Sequence, residues 1–201
     1  ALSRERYWGT PLPIWEHEKQ SKCKKPYLPI GRLADLDTYA PKEPNTYVLI
    51  RHGEATHILE NRFASGPETE KNRSELTEGG KSQIEALAKA LKKKKIAVIL
   101  ASPMYRTKQT AAIIAKATGA KVVFDERLIE QQAGIFAEKD VKEYQTFFKN
   151  PLEEFTKEVP EGENMTAVSL RTWAVIEDAE KKYSGKRIAI VSHGNPLWGL
   201  S

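Results

Sequence analysis

Four side chains in this chain have the chemistry to handle an anion: Arg51 and His52 in IRHGEA, Arg106 in SPMYR, and His193 in VSHGN. An imidazole titrates near neutrality, so at ordinary pH it can offer a lone pair as nucleophile or base. A guanidinium stays charged and presents a planar fork of donors that matches phosphate or carboxylate oxygens. Two of each, gathered beside the free N–H groups of helix starts, would suit a dianionic phosphate. The four are widely separated in sequence, so the fold has to bring them together.

Each segment follows a short, apolar, β-prone run. Tyr47 to Ile50 leads into Arg51, Ile96 to Leu100 leads into Ser102-Pro103-Met104-Tyr105-Arg106, and Arg187 to Val191 leads into Ser192-His193-Gly194-Asn195. Lys121 to Phe124 is a fourth run of the same kind. Helical patterns lie between them. Ile84, Leu87, Ala88 and Leu91 form one stripe behind Thr77, an N-cap residue type. Ser102-Pro103 reads as the start of a second helix that ends before Gly119. Met165, Val168, Thr172, Val175, Ile176 and Ala179 line a third, running to about Tyr183 and capped by Asn164. Strands alternating with helices predict an α/β fold, a three-layer αβα sandwich around a mainly parallel sheet. In such sheets ligands bind at the carboxyl ends of the strands, which is where Arg51, His52, Arg106 and His193 fall.

Composition narrows the options. A chain of 201 residues with 40% hydrophobic content has material for one ordinary core plus an appendage. The net charge of +5 comes from scattered lysines with one dense cluster, Lys92 to Lys95, which reads as the solvated end of a helix before it reads as a nucleic-acid patch. The single cysteine, Cys23, cannot form an internal disulfide, and no stretch is apolar for long enough to span a membrane. A cytoplasmic location is expected.

Four stretches, LIRHGEAT, LTEGGKSQ, ASPMYRTKQTA and VSHGNP, resemble in content and order the motif set of the histidine phosphatase superfamily, the phosphoglycerate mutase-like proteins. The resemblance runs from about residue 46 to 198. It implies that His52 attacks phosphorus to form a phosphohistidine, that Arg51 and Arg106 hold the phosphoryl oxygens, and that His193 adds a donor. It also implies a carboxylic acid to protonate the leaving oxygen. The L-x-E pattern in DERLIEQQAGIF points to Glu130, with Glu54, Asp125 and Glu126 as competing carboxylates. Arg62 matches a further phosphate-pocket arginine. Where the family pattern has a phosphate-binding asparagine this chain has Ile58, and Asn61 is the nearby amide able to substitute. No metal or other cofactor is implied. His57 reads as a solvated loop histidine, Glu163-Asn164 as a helix start, and Phe147, Phe148, Trp173 and Trp198 as core or pocket-lining aromatics.

The first residues belong to another pattern. ALSRERYWGTPLPIW resembles the stretch of bacterial isoleucyl-tRNA synthetases that re-enters the nucleotide-binding fold. The chain carries neither ATP signature of those enzymes. Of a zinc-binding segment that often follows, only His17 and Cys23 remain as candidate ligands, two where a structural site needs four. The expected organisation is therefore a synthetase-like arm and linker over residues 1–45, whose Trp8, Leu12, Ile14 and Trp15 lack native partners, and a phosphatase-like domain over 46–201 that is truncated at its C-terminus. The expected partner is a small phosphorylated substrate, with tRNA a second through a parent synthetase. Three functional classes follow: a phosphomonoesterase, a phosphotransferase or mutase, and a domain that binds phosphate or RNA without turnover. Specificity would reside in loops 58–75 and 132–164.

Overall fold

Strands that are apolar on both faces have to be covered on both faces, and that requirement sets the architecture. The computed structural model describes residues 15–16, 27–28, 43–66, 68–69 and 72–200. The chain divides into two units, Ala1–Lys42 and Glu43–Ser201. In the first, β1 (Trp15–Glu16) pairs antiparallel with β2 (Tyr27–Leu28). His17, Cys23 and the side chains of Trp8, Leu12, Ile14 and Trp15 lie outside what is described, and with them the expectations placed on that arm.

The second unit runs β3 (Thr46–Arg51), α1 (Thr56–Leu59), α2 (Glu78–Leu91), β4 (Ile96–Ala101), α3 (Tyr105–Thr118), β5 (Lys121–Phe124), α4 (Val141–Thr146), α5 (Glu153–Thr156), α6 (Met165–Lys182), β6 (Arg187–Ser192) and α7 (Gly194–Trp198). Its four strands form a parallel sheet in the order β3-β6-β4-β5, with Ile50 opposite Val191 and Leu100 opposite Ile190. Alternate residues serve opposite layers. Ile99, Ala101, Ala189 and Val191 pack against Ile84, Ala88 and Leu91 of α2 and Ala111 and Ile114 of α3. Val98, Leu100, Ile188 and Ile190 pack against Val175 and Ala179 of α6. Each fully buried aliphatic of this kind contributes about 1.5–3 kcal/mol, so β4 and β6, the two inner strands, anchor the sheet.

The helix ends follow local chemistry. Thr77 Oγ1 accepts from Gly80 N at 2.9 Å to start α2, and Asn164 Oδ1 accepts from Ala167 N at 2.9 Å to start α6. Lys92 to Lys95 are exposed at the end of α2. The start of α3 corrects the sequence reading: Ser102 does not cap it. Met104 holds the cap position, Tyr105 N donates to the carboxylate of Glu68 at 2.7 Å, and Ser102 Oγ accepts from Met104 N at 3.3 Å ahead of the helix while also meeting His193. A third apolar cluster gathers Tyr144, Phe148 and Val159 with Phe63, Phe136 and Phe147, which places Phe147 and Phe148 in core packing. Trp173 and Trp198 are half exposed.

Candidate active site

Because all four strands are parallel, their carboxyl ends share one edge, and the ladder continues past them. His52 N donates to Ser192 O at 3.0 Å, and Ser102 N donates to Val191 O at 3.0 Å. These two bonds fix His52 and Ser102 on either side of the strand that leads into His193. The glycine after His52 has a steric cause. A Cβ on Gly53 would lie 2.7 Å from Gly80 O and 2.8 Å from Ile84 Cγ1, and one on Gly80 would lie 2.0 Å from Glu54 O. The turn behind the histidine closes onto α2 only because neither residue has a side chain.

The rings of His52 and His193 stand 5.2 Å apart between centroids. His52 Nδ1 is 2.8 Å from Gly53 O, so that nitrogen carries the proton and Nε2 keeps its lone pair. His193 Nε2 is 2.8 Å from Ser102 Oγ, and its Nδ1 accepts from Arg106 Nε at 3.2 Å. Arg106 is 1% exposed. Its Nη2 donates to Ala64 O at 2.9 Å, whereas Nη1 has no hydrogen-bond partner and lies 3.8 Å from Glu68 Oε1, beyond bonding range. A buried guanidinium with one unbonded nitrogen is poised for an oxyanion. Burial, then the Arg106 charge, pushes His52 down to about 3 and His193 well below the ordinary imidazole range. Both rings are therefore neutral at physiological pH.

Glu130 is buried, and burial raises its carboxyl above the ordinary value, against the lowering effect of the Gln131 N–H and of Arg106 and Arg51. Its Oε1 accepts from Gln131 N at 2.8 Å. It lines a cavity of about 420 Å³ together with Arg51, His57, Asn61, Arg62 and Asn195. Two of the competing carboxylates are occupied, and the third, Glu126, lines a different cavity with Ser65, Gly66 and Glu68. Glu54 accepts from Thr77 Oγ1 at 2.6 Å beside the start of α2, and Asp125 pairs with Arg127 at 2.8 Å. Arg62 reaches the cavity with its guanidinium already engaged by Glu60, Glu138 and the carbonyl of Asn72. Asn61 lines the cavity and donates its amide N–H to Asp140 Oδ1 at 2.9 Å.

Several residues escaped the sequence reading. Arg171 donates to the carbonyls of Arg127, Ile129 and Glu130 at 2.6, 2.9 and 3.1 Å and pairs with Glu163 at 2.8 Å. Glu163 in turn accepts from Gln132 N at 3.0 Å. The loop carrying Glu130 is thus held by an arginine on α6, and Glu163 is a clamp on that loop as well as the residue before the Asn164 cap. Ser102, expected as a cap, orients His193. His57 is the clearest correction. Thr56 N donates to Glu75 O, which turns α1 so that His57 is buried while Ile58 and Leu59 are exposed, and its ring lies 5.4 Å from that of His52. Nothing in local composition separates such a residue from a loop histidine.

Among the described residues, no group of three or more His, Cys, Asp or Glu is placed to hold a metal ion, and no helix is long and apolar enough to cross a membrane. Residues 47–201 match the family model of the histidine phosphatase superfamily, branch 1. A probable phosphoglycerate mutase, GpmB, of Enterobacter sp. (strain 638) is 33% identical over 154 residues, covering 74% of this chain and 69% of the relative. Among solved structures, Bacillus stearothermophilus YhfR aligns with a TM-score of 0.68 and 26% identity over 78% of both chains. A mycobacterial glucosyl-3-phosphoglycerate phosphatase in complex with VO3 aligns at 0.64 and 23% over 76% of both, a likeness of fold.

Proposed function

The chain belongs to branch 1 of the histidine phosphatase superfamily, and on that premise we propose that it hydrolyses phosphomonoesters through a phosphohistidine on His52. The observation that carries this reading is a neutral His52 with its Nε2 lone pair unbonded, beside a buried Arg106 whose Nη1 lacks a hydrogen-bond partner. In the first step Nε2 forms a bond to phosphorus while the ester P–O bond breaks. Arg106 and Arg51 stabilise charge on the non-bridging oxygens, and His193, bonded to Ser102 and to Arg106 Nε, orients the Arg106 guanidinium. Glu130, whose carboxyl burial raises above its ordinary value, gives its proton to the departing oxygen. In the second, the Glu130 carboxylate takes a proton from water as the water oxygen bonds phosphorus and the N–P bond breaks, releasing inorganic phosphate and restoring both groups. Arg62 and Asn61, which line the cavity, would add contacts to the substrate phosphate.

A screen of phosphate esters with purified protein tests the reading. Turnover that His52→Ala abolishes on every ester supports it, and absence of turnover on all of them counts against it.

The GpmB relative, named as a probable mutase, favours a second reading in which a substrate hydroxyl replaces water as acceptor. Isomerisation of phosphoglycerate without phosphate release would select it. The segment ALSRERYWGTPLPIW supports a wider context, a phosphatase domain within an isoleucyl-tRNA synthetase-like polypeptide whose partner is tRNA. Antibodies to the two regions should then detect one polypeptide of synthetase size in the source cells, and two separate polypeptides would exclude it. Retention of tRNA that weakens steeply with salt, without ester turnover, would support the non-catalytic reading instead.

A further inference from the structure

His57 has no part in the mechanism above, yet its position is unusual for a bystander. It is 9% exposed, and its Nδ1 is buried with no hydrogen-bond partner. A buried polar atom left unpaired costs stability, and few persist in a folded protein without a reason. The ring also lines the 420 Å³ cavity that Arg51 and Glu130 line. Its charged neighbours are Arg51, Arg62 and Arg106, with the His52 ring 5.4 Å away between centroids. Burial first, and then those cations, holds the His57 imidazole far below its ordinary range, so it is neutral. A neutral imidazole has a single N–H. On Nδ1 that proton would have nothing to receive it, so the favoured tautomer carries it on Nε2. A neutral donor surrounded by guanidiniums matches an oxyanion. The next residue, Ile58, cannot supply a donor, and its side chain is exposed.

We propose that His57 is a phosphate-binding residue, its Nε2–H donating to a non-bridging oxygen of the phosphoryl group that His52 receives. The proposal rests on the phosphohistidine reading for its place in the reaction, but the binding itself does not require turnover. It gives the site a third imidazole and makes the pocket selective for a tetrahedral oxyanion over a planar carboxylate, because donors converge from α1, α3 and the end of β3.

The test is calorimetric titration of the full 201-residue chain with inorganic phosphate, beside His57→Phe and His57→Gln. Phenylalanine keeps the ring and removes the donor, whereas glutamine keeps a neutral N–H. His57→Phe should weaken phosphate binding roughly ten- to hundredfold, the worth of a hydrogen bond to a charged group, and lower kcat/KM to a similar degree. His57→Gln should recover most of both. The melting temperature of the phenylalanine variant should not fall, since an unpaired buried nitrogen has been replaced by carbon. In unmutated protein labelled with 15N-histidine, phosphate should shift the His57 ring signals, a readout independent of any variant's folding. Unchanged phosphate affinity in His57→Phe, an unmoved His57 signal, or no phosphate binding by the unmutated protein would each overturn the proposal. Phosphate binding that depends on His57 in a protein with no ester turnover would uphold it while removing the phosphohistidine reading.

Discussion

At the scale of single residues, the proposed reaction calls for one group that attacks and one that supplies a proton, and the fold gives His52 and Glu130 different environments. His52 is neutral down to about pH 3, so its protonation should cost activity only in strong acid. Glu130 has to be protonated for the first step, and burial raises its carboxyl, so kcat/KM should decline as pH rises through that raised value. In Glu130→Gln that alkaline decline should disappear from the pH profile. The same variant should slow an alkyl phosphate by about two to four powers of ten, and an aryl phosphate with an acidic phenol far less, because only the poor leaving group needs the proton. Equal losses on both esters, measured by phosphate release, would assign Glu130 to binding or packing. Arg51, His52, Arg106 and His193 were legible in the sequence because their motifs come with neighbours that define a strand end. His57 was not, since its role depends on the direction in which one short helix turns.

At the scale of elements, Arg171 on α6 determines where Glu130 stands, although it contacts the loop chiefly through backbone carbonyls. Arg171→Gln should therefore lower activity on alkyl phosphates, and combining it with Glu130→Gln should add little, as expected when two residues act through one group. A multiplicative loss in the double variant would show that Arg171 acts elsewhere. Gly80→Ala sets a Cβ 2.0 Å from Glu54 O and has to move either α2 or the turn behind His52. Overpacking of this kind costs about 1–3 kcal/mol, readable as a lower denaturation midpoint. The strands and the three long helices were legible because their apolar periods are strong and because Thr77, Asn164 and Gly119 are end residues of the usual types. The beginning of α3 was misread because Ser102 is also the hydrogen-bond partner of His193, and a tertiary contact overrode a local preference.

At the scale of the whole molecule, the neutral histidines couple stability to pH. His52, His57 and His193 are all held below the ordinary value of 6.5 by burial, so below that pH the unfolded chain binds protons that the native one refuses. Stability should fall as pH drops from 6.5, by up to about 1.4 kcal/mol per unit for each histidine. Glu130 works in the opposite sense: its raised value contributes stability at low pH that is lost as pH rises through it. Melting curves between pH 7 and 5 should show a net decline that is shallower in His52→Phe, and an unchanged slope in that variant would mean that His52 does not refuse its proton. The order β3-β6-β4-β5 has a consequence in time as well as in space. The strand that joins the two halves of the sheet is the last of these four in chain order, so β3 and β4 wait with unpaired edges until it emerges, a state prone to aggregation. The bonds that align His52 with Ser102 run through Val191 and Ser192, so the site cannot exist on a nascent chain that has not reached them. Phosphate recognition should therefore begin only once β6 has emerged and paired with β3 and β4.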